Sequence, residues 1–173
     1  MREGQFMTGE GQTVSGEGQR EVMREAELLL KIHVQCGEAV LVEGHTKDIL
    51  MIPFSGKAEG PYFTGRILGE GMDVQKAGKD GKRILSARYV LEGQDFTGQK
   101  CRIFIENQGC QGEIYRPFIV TDSQALAGWE EEELWDTVEG IPGGVCVRIF
   151  RSREILAQFA GSVYNDRSDR GAV

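Results

Sequence analysis

The residues of this chain best equipped for chemistry are two arginines and two carboxylates set among hydrophobic strands: Arg88, Arg116, Asp73 and Glu106. A guanidinium grips a carboxylate or phenolate with two parallel hydrogen bonds. A partly desolvated carboxylate moves protons as a general base. Together they would suit a reaction that needs only positioning and one base, such as isomerisation, cyclisation or lyase chemistry on a small anionic or phenolic compound, with no cofactor. In that arrangement Arg88 and Arg116 hold the anion and Asp73 or Glu106 transfers the proton. Tyr89, Tyr115, Phe104 and Asn107 line the substrate. Asp73 ends the run Gly69-Glu-Gly-Met-Asp73, expected to be a loop at the mouth of a barrel. The plainer alternative there is an aspartate that caps its own turn.

Other chemistries find little purchase. Ser86 has no G-x-S-x-G elbow around it, and Gly69-x-Gly71 lacks the Lys-Ser/Thr of a phosphate loop. His33 and His45 are the only histidines, and the four cysteines form no C-x-x-C pair, so no metal site is expected. Cys36, Cys101 and Cys146 border apolar runs and read as buried thiols. A formal net charge of −7 with no Lys/Arg stripe argues against nucleic acid as a partner. No apolar run approaches the ~20 residues of a membrane span, and the Gly/Glu-rich start has no apolar leader core, so a cytoplasmic location is expected. The partners expected are a small-molecule ligand and, through apolar faces, further copies of the chain in a homo-oligomer.

The elements that would position these residues are short strands. Twenty-four glycines against four prolines in 173 residues suit a curling, turn-rich sheet. Residues 28–34, 38–42, 48–54, 62–68, 83–91, 100–108, 115–121 and 145–151 read as strands, and Lys79-Asp-Gly81 as a hairpin turn. Asp122-Ser123 is expected to cap one short helix over Gln124–Ala127, closed by Gly128, before the last hairpin. The tract from Trp129 to Trp135, with four glutamates inside it, reads as a solvated helical turn or loop. The fold class expected is all-β: a single antiparallel β-barrel of eight or nine strands. It would occupy residues 26–151. Before it lies a flexible tail over residues 1–25, where EGQ recurs every seven residues from Glu3 and helix is expected only near Arg20–Glu27. After it lies a C-terminal extension over residues 152–173, partly disordered, in which Ile155, Leu156 and Phe159 suggest a small docking helix.

Side-chain alternation sorts each strand into faces. Leu85, Ala87, Tyr89 and Leu91 share one face of their strand, against Ile84, Ser86, Arg88 and Val90. Cys101, Ile103 and Ile105 oppose Arg102, Phe104 and Glu106, and Tyr115 and Ile119 oppose Arg116 and Phe118. Either the apolar faces fill the interior and the charged faces meet water, or the charged faces line a cavity. The second arrangement needs partners for each arginine, because burying one alone costs several kcal/mol. It corresponds to a small-molecule-binding barrel with isomerase, cyclase or lyase activity. The alternative is a non-catalytic carrier or sensor, or a self-associating accessory subunit.

The order of motifs resembles one known family. Ile52-Pro-Phe-Ser-Gly56, Tyr62-Phe-Thr-Gly-Arg66, Gly71-Met-Asp-Val-Gln75, Ser86-Ala-Arg-Tyr-Val-Leu91, Ile105-Glu-Asn-Gln-Gly109, Arg116-Pro-Phe118, Leu126 and a closing Val-x-Val-Arg-Ile-Phe strand are together similar to the domain-of-unknown-function family 3237. The likeness runs from about Leu28 to Arg151. It implies a single-domain β-barrel of lipocalin-like shape and carries over no reaction. Val74 stands where that family usually has an aromatic residue.

Overall fold

Between its glycine turns the chain is rich in β-branched and aromatic residues alternating with polar ones, a composition that suits a pleated, half-buried surface, and strands form almost throughout. The computed structural model describes residues 22–156 apart from residue 112. Contacts divide the chain into a unit of Glu25–Arg153, which holds the sheet and its core, and a second unit made of the two chain ends. The strands are β1 (Val22–Cys36), β2 (Val40–Glu43), β3 (Lys47–Glu59), β4 (Phe63–Ile67), β5 (Gly71–Gly78), β6 (Arg83–Asp95), β7 (Lys100–Cys110), β8 (Phe118–Thr121), β9 (Leu134–Ile141) and β10 (Gly144–Leu156). No α-helix occurs among the described residues, and none of their helices is long and apolar enough to cross a membrane.

All ten strands join one sheet in the order β8-β7-β6-β4-β3-β1-β10-β9, with β2 beside β3 and β5 between β3 and β6. Two long strands, β3 and β6, act as spines. The first half of β3 pairs with β5 and β2, and its second half with β4 and β1. An isolated antiparallel bridge, Tyr115↔Asp136, ties the segment before β8 to β9.

The apolar faces turn inward. Leu30, Ile32, Leu91, Ile103, Ile105 and Ile149 are fully buried, with Phe63, Leu126 and Trp129 beside them. Each such side chain contributes about 1.5–3 kcal/mol relative to leaving it in water.

Several local expectations change. The described residues form ten strands rather than eight or nine: β5 runs through the expected Asp73 loop, and β9 begins inside the tract expected as turn or loop. The expected helix over Gln124–Ala127 is a turn in which Ser123 Oγ accepts from the Leu126 amide at 3.2 Å, and the helical turn, of 3-10 type, lies just beyond at Ala127–Glu130. Residues 22–27 extend β1 instead of forming helix, and Ile155 and Leu156 extend β10. Cys101 and Cys146 are buried as expected, but Cys36, at the end of its strand, is exposed. The seven-residue repeat before residue 22, and Phe159, lie outside the described residues.

Four elements are held together by one polar cluster. Glu27 of β1 accepts from Arg151 Nε of β10 at 2.7 Å and from the Tyr62 hydroxyl at 2.6 Å. The same guanidinium donates to Glu132 at 3.2 Å and stacks over the Tyr62 ring at 5.3 Å. These side chains are about one-fifth exposed at the Arg151–Glu27 contact, so water screens them little. Arg151→Met is expected to cost about 2 kcal/mol of folding stability, and Arg151→Lys, which keeps the charge but loses the fork, roughly half of that. Urea unfolding midpoints check this, and equal losses in the two variants would show that the forked geometry contributes nothing.

Candidate functional site

One end of the inner face is not filled. There the inward residues open around a cavity of about 290 Å³. The register builds it row by row. Ile52 of β3 pairs with Asp73 of β5, Asp73 with Ala87 of β6, and Ala87 with Asn107 of β7. Small Ala87 leaves the space between the two polar neighbours. Deeper, Phe54 and Tyr89 meet edge-to-face at 5.5 Å, and β10 contributes Val145 and Val147. Further out, Arg83, Gln75 and Gln111 supply polar wall. Gly109 is needed here for its missing side chain: a Cβ at that position would stand 2.7 Å from the Tyr115 ring, which leans over it into the cavity.

Polar groups collect in this otherwise apolar space without being satisfied. Among the described residues, Asp73 Oδ1, the Tyr89 hydroxyl, Asn107 Oδ1 and both carboxylate oxygens of Asp136 are buried with no hydrogen-bond partner. Buried polar atoms are nearly always paired. Three of these atoms belong to residues that line the cavity, Asp73, Tyr89 and Asn107, and the other two to Asp136 just behind Tyr89 and Asn107.

Asp136 is the most unusual of them. It shares the inner face of β9 with Leu134 and with Val138, which lines the cavity. Its backbone N–H donates to the Tyr115 carbonyl at 2.9 Å, which fixes the strand against that segment. At 1% exposure its carboxyl is pushed up to about 6 by burial. Asn107 lies close enough to oppose that shift, though without reaching hydrogen-bond geometry to either oxygen. Tyr89 is held well above the usual phenol range, first by burial and then by the Asp136 charge. A carboxyl that titrates near neutrality can both accept and return a proton.

Asp73 does not lie in a loop; it sits within β5, facing the cavity. Its Oδ2 accepts from Gln75 Nε2 at 2.7 Å, and Gln75 Oε1 accepts from Arg83 Nη1 at 2.9 Å. The cavity therefore brings together Asp73, Tyr89, Asn107 and Tyr115 of the residues expected from the sequence.

It does not bring in the others, and the inward placement of Arg88, Arg116, Phe104 and Glu106 is corrected. Arg88 and Glu106 are cross-strand neighbours on the outer face, paired at 2.9 Å with Arg88 57% exposed. That pair holds the Glu106 carboxyl below the usual range, but it is solvated and contributes little to stability. Phe104 meets Phe118 edge-on, also outside, and Arg116 is exposed. The physical reason is the desolvation cost of a guanidinium, which exceeds the cost of leaving these hydrophobic residues partly wet. Two residues, Arg83 on the cavity wall and Asp136 beside Tyr89 and Asn107, escape sequence reasoning. Arg83 has the parity of Leu85, Ala87 and Tyr89, one step before them, and that parity is the available signal.

Known proteins place the chain. A segment of 60 residues, 34% of this chain, is 43% identical to an UPF0311 protein of Clostridium acetobutylicum, and it spans only 35% of that relative's length. A crystal structure of a protein with unknown function from Clostridium acetobutylicum ATCC 824 superposes with a TM-score of 0.65 at 23% identity, covering 76% of this chain and 98% of that one. A beta-barrel like protein from Acinetobacter baumannii AYE gives 0.63 at 18% identity, covering 76% and 97%. At these identities the structural likeness is one of fold. The sequence model described as "Protein of unknown function (DUF3237)" matches residues 25–113, about half of the chain, and the chain belongs to that family.

Proposed function

We propose that the sheet is a barrel of lipocalin-like shape whose hollow end binds a small, partly apolar organic molecule, and that Asp136 exchanges a proton with it. The observation that carries this reading is a carboxylate with 1% exposure and no hydrogen bond to either oxygen, beside Tyr89 and Asn107 of the cavity wall. Tyr89, Asn107 and Tyr115 orient the ligand, and Asp73 offers a second acceptor. The reaction class is cofactor-free proton transfer: isomerisation, cyclisation or elimination, in which position and one base suffice. A passive carrier would favour an apolar lumen with charges at its rim, and two inward carboxylates weigh against that alternative. The cavity is at or below the lower end of the ~300–1,000 Å³ typical of ligand sites, which favours a compact substrate.

Thermal stabilisation against a library of small acids, phenols and neutral aromatics tests the reading. Hits are expected on the parent and not on Ala87→Phe, whose ring would occupy the gap between Asp73 and Asn107. For each hit, proton NMR in deuterated buffer should show C–H exchange that Asp136→Asn loses while still binding. A library without hits, or hits that Ala87→Phe retains, removes the cavity from consideration.

A further inference from the structure

We infer that the molecule taken up is a hydroxylated organic acid, with Arg83 as the residue that selects for its anionic group and Asp73 as the acceptor for its hydroxyl. This rests on the proposed cavity function and specifies its ligand. Arg83 lines the cavity and has no ion-pair partner among the described residues. Arg88, Arg102, Arg148 and Arg151, by contrast, each have a glutamate within 3.0 Å. One guanidinium nitrogen of Arg83 donates to Gln75, which leaves the rest of the fork for a ligand. A guanidinium matches a carboxylate in plane and spacing, and a neutral amide offers it only one oxygen.

The neighbouring acids do not consume that charge. Asp48 shares an adjoining recess with Arg83, but its carboxylate is held by Lys79 at 2.6 Å and by the Gly44 amide at 3.2 Å. Asp73 is kept one residue away by Gln75, whose amide bonds Arg83 through its oxygen and Asp73 through its nitrogen. That bridge fixes the amide's orientation. It also leaves Asp73 Oδ1 buried and unpartnered on the cavity wall. An acceptor-only carboxylate oxygen requires a donor from the ligand, and on a small acid a hydroxyl supplies it. Gln75 and Arg83 line both recesses, so the anion-binding end lies where the two adjoin.

Three probes separate the elements of this inference: 3-(4-hydroxyphenyl)propionate, its primary amide, and 3-phenylpropionate. Dissociation constants by calorimetry or ligand-observed NMR, at low ionic strength and pH 7.5, are the readout. The hydroxy acid should bind the parent about 10-fold or more tightly than its amide, the range of a charge-assisted hydrogen bond, and more tightly than the acid lacking the hydroxyl. Equal affinity for the two acids overturns the role of Asp73. Arg83→Met should abolish the preference for acid over amide by weakening the acid far more than the amide, and an unchanged urea midpoint reports that the variant is folded. Arg83→Lys should keep part of the preference. Equal affinity for acid and amide in the parent, or a preference that survives Arg83→Met, overturns the role of Arg83 while leaving the cavity function intact. Failure of all three probes to bind overturns the ligand class, and the wider library then decides on the cavity itself.

Discussion

At pH 7.5 the Asp136→Asn variant should be more stable than the parent, by about 3 kcal/mol. The Asp136 carboxyl rises from 3.8 in the unfolded chain to about 6 in the fold, because burial penalises its charged form. Below the lower value both states hold the proton and the residue costs nothing. Between the two values the unfolded chain has released its proton and the fold has not, so stability falls as pH rises, by ~1.4 kcal/mol per pH unit. Above pH 6 the loss is complete and constant. Asparagine carries no such titration, so the difference between variant and parent should open from about pH 4 to about pH 6 and then stay level. Guanidinium unfolding across that range and at neutral pH measures it. A difference that does not change with pH would mean that Asp136 ionises in the fold as it does in the unfolded chain, and the site would lose its proton-transfer group. A gain in stability together with a loss of proton exchange is the signature of a residue kept for function at the expense of the fold.

The faces of the strands were legible in the sequence; which face was inside was not. In β6 and β7 the alternation correctly separated Tyr89 and Ile105 from Arg88 and Glu106. Alternation alone is symmetric between a charged lumen and a charged exterior. The register breaks the tie by setting Arg88 directly across from Glu106, where the two form a solvated pair and need no burial. The apolar face, extended one step in each strand, reaches Arg83 in β6 and Asn107 in β7, so the polar end of the cavity was written into the same periodicity. Asp136 was harder to see. It follows an acidic tract that reads as solvated, and only the short alternation Leu134, Asp136, Val138 marks it as inward. Tyr89, Asn107 and Tyr115 lie beside it although they are distant in sequence, a nonlocal arrangement that local pattern does not encode.

The largest loss of stability expected from truncating one side chain is at Phe63. The residue is 1% exposed, and its ring lies over a gap where β4 and β6 put two glycines, Gly65 and Gly93, directly opposite each other. A Cβ on Gly93 would stand 2.8 Å from the ring, and one on Gly65 would stand 2.7 Å from it. The ring thus fills the volume that two side chains would otherwise occupy. Phe63→Ala should cost about 3–5 kcal/mol, toward the upper part of that range, because glycines have no side chains that can relax into the cavity left behind. Against a typical total of about 5–15 kcal/mol for a domain, that is enough to leave a large unfolded fraction at moderate temperature. Phe63→Leu should cost about 1–2 kcal/mol, since most of the volume remains. Refilling from the opposite side should fail: a methyl on Gly65 would also meet the Glu92 backbone carbonyl, so Gly65→Ala stays harmful even in the Phe63→Ala background. Urea unfolding of the three variants and the double mutant measures these terms. Rescue by the added methyl would mean that the strands can separate at this point, and the glycine pair would not be the reason the ring is required.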